Sequence, residues 1–331
     1  DLDEAAYQLV LRGEADLAGL PDFVRAAARQ AAAERGLDEA AHVITLNRSL
    51  IEPFLTYSDR RDLREQAWRA WSRRGEMPGE TDNRALIQRI LVLRNAQARE
   101  HGFDNYADYV LTDSMAGGQQ AVRQLLGEVW QRALPAAERE RQALIAMMRS
   151  HGVAGEPEAW DWRYWSEKVR QARYDIDDAE VKPYFSLERM VEALFDCAQR
   201  LFGVRFEARP DVRAYHPEVQ VYEMFDAQGR SAGLFLQDNF ARATKRSGAW
   251  MSDFAYQSRN RGVDRPIIVN NNNFAKAAPG QPTLLSFDDA RTLFHEFGHG
   301  LHGLLSNVTY HRLAGTQVLR DFVEQIGRAH V

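Results

Sequence analysis

Cysteine is almost missing from this chain: Cys197 is the single one in 331 residues, so no disulfide can form within it. No apolar run reaches the ~20 residues needed to span a bilayer. There is no basic cluster, and a net charge of -5 argues against nucleic acid as the main partner. Internal repeats and low-complexity linkers are lacking too, which leaves no sequence marker for a sharp domain boundary. With no initiator Met and no secretory leader, the chain is expected to begin inside a longer protein. What is present is an ordinary globular composition, 45% hydrophobic and 27% charged, enough for one large or two modest domains around a substantial core. Cys197 lies in residues 190–202, whose apolar spacing makes it a small core residue rather than a nucleophile. A reducing cytoplasm is the compartment expected, with the periplasm as the alternative.

The pattern over residues 1–205 is nearly all helical. Apolar residues recur at helical spacing, or alanine dominates, in residues 22–35, 60–73 and 83–101, and each segment stops on a glycine, Gly36, Gly75 or Gly102. Further helices are expected at residues 105–111, 119–151, 162–174 and 187–202. One stretch reads as a short, isolated strand, residues 42–46. Trp68, Trp71, Trp130, Trp160, Trp162 and Trp165 read as interhelical packing rather than a binding platform. Beyond residue 215 the character changes. Residues 219–225 and 233–236 flank turn chemistry at residues 226–230 and read as a hairpin. A third strand is expected at residues 265–270, with Pro266 restricting it to a strand start or an edge.

Residues 287–306 carry the strongest chemical signal. His295, Glu296 and His299 form H-E-x-x-H, which on a helix puts two imidazoles one turn apart on the same face, able to converge on one metal ion. Glu296 then stands beside the metal without ligating it and reads as a general base. Helix formation has its own support: Ser286 can cap the start, Asp288 and Asp289 suit the first turn, and Leu293, Phe297, Leu301 and Leu304 recur at helical spacing. A catalytic zinc takes a third protein ligand. After His299 the candidates are His302, His311, Asp321, Glu324 and His330. A metzincin continuation is excluded, because His302 and Leu305 stand where that pattern needs Gly and His. His302 reads as packing or as support behind the ligands.

Phe294-His-Glu-Phe-Gly-His-Gly-Leu-His-Gly303, then Gly315-Thr316, then Asp321-Phe-Val-Glu324 resembles the active-site block of the M3 oligopeptidases, a family that includes thimet oligopeptidase, oligopeptidase A and the peptidyl-dipeptidases. Residues 248–252, 270–274, 279–282, 160–162 and 182–185 are similar to the same family, so the likeness spans most of the chain. The run around residues 266–274 leans toward the peptidyl-dipeptidase branch. By position, the resemblance implies that His295, His299 and Glu324 are ligands of one zinc ion and Glu296 the base. It implies a mainly α fold, with a small β-sheet preceding the zinc helix. The organisation expected is a helical region at residues 1–205, then the sheet, the zinc helix and the third ligand in residues 206–325. Residues 326–331 depart from the family, match the translation of a common sequencing adapter, and are read as non-native; His330 is set aside with them.

The expected activity is zinc-dependent hydrolysis of short peptides enclosed in a channel, by a monomer without nucleic-acid or membrane partners. Release of C-terminal dipeptides competes with endo-acting cleavage. A non-catalytic helical metal scaffold is the rival of another class, disfavoured because a structural zinc site needs no base such as Glu296. Asp321, Asp288 and Asp289 are candidates to orient the imidazoles. A sheet edge near the helix, with Gly248 and Ala249 leaving room, either pairs with an extended substrate or merely braces the helix. The family's further elements follow Glu324, so the segment by itself is expected to be inactive.

Overall fold

The structure, a computed structural model, describes residues 6–324 except residues 78, 175–177, 243 and 278–279. The expected non-native tail, His330 and Pro279 of the residue 279–282 motif lie outside them. The chain divides into two compact units, Asp1–Asp177 and Asp178–Val331.

In the first unit, strand β1 (Leu9–Leu11) pairs antiparallel with β2 (His42–Ile44). The strand expected at residues 42–46 is therefore short but not isolated; its partner has only three residues, too few to show alternation. Helices α1 (Asp22–Ala33), α2 (Arg48–Tyr57) and α3 (Arg61–Ser72) close around the pair, burying Leu11, Val43, Ile44, Ile51, Phe54 and Leu55. Helix α2 was not expected, since Pro53 sits inside it. It starts on Asn47, whose side chain accepts from the Ser49 N–H at 3.0 Å, a standard way to satisfy a first-turn donor.

Three more helices follow: α4 (Arg84–Glu100), α5 (Tyr106–Leu111) and α6 (Gln119–Ser150), then α7 (Trp162–Tyr174). The end of α6 packs on α7 through Leu144, Met148 and Trp165. A buried ion pair ties α3 to the start of α7: Arg64 donates to Asp161 at 3.0 Å and to the Ser58 carbonyl at 2.6 Å. Trp68, Trp71, Trp160, Trp162 and Trp165 are packed as expected. Trp130 is not; it is exposed on α6 beside Leu125, Leu126 and Val129.

The second unit opens with α8 (Asp178–Val181) and α9 (Leu187–Phe202). A five-stranded mixed sheet comes next: β3 (Arg205–Ala208), β4 (Gln220–Phe225), β5 (Ser231–Phe240), β6 (Trp250–Ala255) and β7 (Ile267–Phe274). Its order is β3-β4-β5-β7-β6, with β5 and β7 parallel and the other pairs antiparallel. The expected hairpin is β4–β5. Pro266 directly precedes β7, the strand-start position its missing N–H allows.

Helix α10 (Phe287–Leu304) and α9 share one face of this sheet. Side chains alternate across a strand, so Phe235 and Ile268 meet the helices while Leu236 and Val269 face the other side with Val221. On α9 the buried stripe is Leu187, Val191, Leu194 and Ala198. Cys197 lies just off it and is exposed, contrary to the core position its spacing suggested. The two helices begin together: the Leu187 N–H donates to the Thr283 carbonyl and the Leu285 N–H to the Phe185 carbonyl, each at 2.8 Å, forming an isolated bridge between Ser186 and Leu284. A short helix α11 (Arg320–Val323) ends the described chain. Among the described residues, no helix is long and apolar enough to cross a membrane.

Candidate metal centre

Helix α10 starts as its sequence dictates. The Ser286 hydroxyl accepts from the Asp289 N–H at 3.0 Å, and the Asp289 carboxylate accepts from the Ser286 N–H at 3.0 Å, which is a reciprocal capping box. Asp288 pairs with Arg291 at 2.7 Å. Both acids serve the first turn. Asp321 is exposed on α11.

The lower half of α10 is unusual for a helix, with Gly298, Gly300 and Gly303 in its interior, each costing about 1 kcal/mol relative to Ala. The sheet supplies the reason for two of them. A Cβ on Gly300 would sit 3.2 Å from Phe235 and 3.1 Å from the amide oxygen of Asn270. One on Gly303 would meet Ile268 and Met251 at 2.8 Å. The helix backbone thus rests directly on β7 and β6, with Leu293, Phe297, Leu301 and Leu304 sealing it into the core.

This seating presents His295 and His299 together, their rings edge to face with centroids 4.6 Å apart. Their Nε2 atoms are 3.1 Å apart. The chain then passes through residues 305–319 and α11 and returns Glu324, whose Oε2 lies 3.6 Å from His295 Nε2 and 3.9 Å from His299 Nε2. A tetrahedral ion with ligands at ~2.0–2.1 Å has its donor atoms about 3.3 Å apart; these separations bracket that value. One donor atom from each of the three residues falls within 4.8 Å of the others, so the donor set fits a single small cation. The three residues expected as ligands are therefore at one place.

Glu296 is buried. Loss of water, and then the neighbouring Glu324 charge, push its carboxyl up to about 7, a poise suited to accepting and returning a proton near neutrality. His302 and His311 do not join the trio. Burial shifts His302 toward its neutral form, and its Nδ1 finds no partner among the described residues. Asp253, half-buried on β6 near Gly303, is pushed up to about 6 by desolvation alone. Elsewhere in this unit Asp238 anchors a polar knot: Arg242 holds it bidentately at 2.6 Å, Lys245 at 3.0 Å and the Tyr215 hydroxyl at 2.7 Å. These partners hold its carboxyl down to about 2 against its burial. An open concavity of about 600 Å³ beneath β3 and β4 is lined by Arg209, Tyr215 and Tyr222 and by none of the trio.

Two imidazoles and one carboxylate are a donor set that could hold a metal ion of the kind hydrolases use. The chain belongs to peptidase family M3, whose model matches residues 54–327. It is 39% identical over 317 residues to the dipeptidyl carboxypeptidase of Escherichia coli (strain K12), covering 96% of this chain and 46% of that protein. It is 36% identical over 305 residues to oligopeptidase A of Salmonella typhimurium, covering 90% and 45%. Similarity extends to the organellar oligopeptidase A of Arabidopsis thaliana, at 30% over 333 residues, 96% and 42%. The chain thus spans rather less than half the length of these relatives.

Proposed function

We propose that this chain supplies the catalytic metal helix of a zinc-dependent peptidase that cleaves short oligopeptides and releases dipeptides from their C-terminal end. The carrying observation is the convergence of His295, His299 and Glu324 with Glu296 buried alongside. Zinc suits two imidazole nitrogens and one carboxylate oxygen, a set that leaves a position open. Once bound, it would polarise the scissile carbonyl and acidify the attacking water. Glu296 takes the proton from that water and hands it to the leaving amine; its raised pKa makes both transfers accessible near pH 7.

Substrate is held as an added strand. β6 is the outer strand of the sheet on the α10 side, and a Cβ at Gly248, just before it, would meet nothing within 4 Å. An extended peptide pairing with that edge gains affinity from its backbone and little side-chain selectivity. Dipeptide release is supported by the relatives named dipeptidyl carboxypeptidase, at 39% and 40% identity. Oligopeptidase A relatives follow at 36% and 37%, so endo-acting cleavage is the second reading.

The test uses a polypeptide of the relatives' full length carrying this segment. Glu296→Gln should retain zinc and lose about 10²–10⁴ in kcat on a quenched fluorescent peptide; turnover near wild type refutes the base assignment. Amidating the peptide's C-terminus should suppress cleavage if dipeptides are released, and leave it unchanged if action is endo.

A further inference from the structure

The third ligand reaches the imidazoles by a route with one tight point. Residues 305–319 leave α10 and turn back over its last turns. Their first part is tied to the loop after β6: the Val308 N–H donates to Gln257 at 2.7 Å, and the Arg259 and Asn260 N–H groups donate to the Val308 and Thr309 carbonyls at 3.2 and 3.1 Å. Their second part touches α10 itself at Gly315. A Cβ placed on Gly315 would lie 2.8 Å from Gly303 Cα, 3.1 Å from the His302 carbonyl oxygen and 3.2 Å from the Gly303 nitrogen. All three atoms are backbone and cannot rotate away. The φ of Gly315 is 48°, left-handed as well, and its N–H is held by the Ser306 hydroxyl at 3.1 Å.

Gly303 is therefore pressed from both sides, by Ile268 and Met251 of the sheet and by Gly315 of the returning strap. Ala314 and Gly315 are also the last buried positions before Glu324: residues 316–324 are exposed or half-buried, and Glu324 itself is 51% exposed. Among the described residues, no buried side chain lies between Gly315 and the carboxylate. Its approach is inherited from the point where the strap lies on the helix, one turn beyond His299.

We propose that Gly315 is a positioning residue for the metal centre, and that its backbone contact with Gly303 sets the distance at which Glu324 meets His295 and His299. The inference rests on the metal reading above. A side chain at residue 315 lifts the strap off α10, and the carboxylate moves outward with it. Gly303 is the matching half of the contact, since any side chain there would collide with the sheet and displace the helix that carries both imidazoles.

The experiment measures Co²⁺ and Zn²⁺ affinity of the full chain by competition titration, with the visible absorption of bound Co²⁺ reporting the donor set. Gly315→Ala should weaken binding about 10–100-fold, the range seen when a group that orients a ligand is lost, and should alter the Co²⁺ spectrum as the carboxylate withdraws. Gly262→Ala is the control: Gly262 has φ 67° but nothing within 4 Å of its would-be Cβ, so it carries the same backbone strain without the contact and should bind as wild type does. Ser306→Ala, which removes only the hydrogen bond to Gly315, should weaken binding several-fold, and it decides the matter if Gly315→Ala does not fold. Equal affinities and spectra for Gly315→Ala and Gly262→Ala, or a wild-type value for Ser306→Ala, overturn the proposal. Metal affinity untouched by His299→Ala would instead overturn the metal reading, and this inference with it.

Discussion

Helices α4 and α10 are equally regular, and the chain around them treats them in opposite ways. On α10, nine residues are buried, among them Glu296, His299 and three leucines. On α4, Ala98 alone is buried, and Leu86, Ile87, Leu91, Val92 and Leu93 stand exposed. Hydrophobic periodicity announces a helix in both cases but does not say what lies opposite. The difference comes from the partners: α10 lies on a five-stranded sheet, whereas α4 contacts mainly the short α5. The two imidazoles and the base need the first situation, because dense surroundings hold the helix that carries them and desolvate Glu296.

The contrast can be pressed experimentally. The largest effect is expected at Asp238, whose removal strands Arg242 and the buried Lys245. Asp238→Asn should cost about 3–5 kcal/mol at pH 7. The pH dependence has a definite sign. Its partners hold the native carboxyl down to about 2 from an ordinary 3.8, so its stabilisation is complete above pH ~4 and fades as pH falls toward 2; urea midpoints of wild type and variant should converge over that window. Next, Leu194→Ala, in the fully buried stripe of α9, should cost about 2–5 kcal/mol.

Asp253 should behave in the reverse sense to Asp238. Its native carboxyl titrates near 6 rather than 3.8, so ionisation penalises the folded state from pH ~4 upward, in full above pH ~6. Asp253→Asn should raise stability by about 1 kcal/mol at pH 8, below the full shift because the half-buried carboxyl keeps some water, with no gain at pH 4. A melting temperature unchanged at both pH values would remove the assignment. The smallest effect belongs to α4: Leu91→Ala should change stability by less than about 0.5 kcal/mol. A loss comparable to that of Leu194→Ala would show that the exposed face of α4 is covered in solution and would break the comparison.

Much of the site was legible before any coordinates. H-E-x-x-H on an amphipathic, serine-capped helix is local information, and so are helices such as α6, α7 and α9, whose boundaries fall within a residue of the periodic signal. Glu324 came from resemblance, since its spacing alone left five candidates open. Other features depend on contacts between residues far apart in the chain. Strand β6 reads poorly by itself, and only pairing with β7 makes it an edge. The strand expected at residues 265–270 runs on to Phe274 through Asn271, Asn272 and Asn273, where the buried Asn272 amide donates to Asn239 at 2.9 Å. Cys197 shows the limit of spacing arguments, because a stripe's border is set by the partner's width. The interior glycines of α10 were an overlooked local signal: glycines that costly to a helix imply that another backbone or side chain approaches closely.

The bridge joining Ser186 to Leu284 has a consequence for the order of folding. It brings together the starts of α9 and α10, separated in the chain by the whole sheet, and closing so long a loop must be compensated before any nearby contact rewards it. The bridge beside the start of the metal helix is therefore expected to close late, after the hairpin and its neighbours have shortened the effective distance. The slowest refolding phase of the second unit should coincide with protection of the Leu187 and Leu285 amides in pulse-labelled hydrogen exchange. The β4–β5 hairpin amides should become protected earlier, so metal capture follows sheet formation rather than nucleating it.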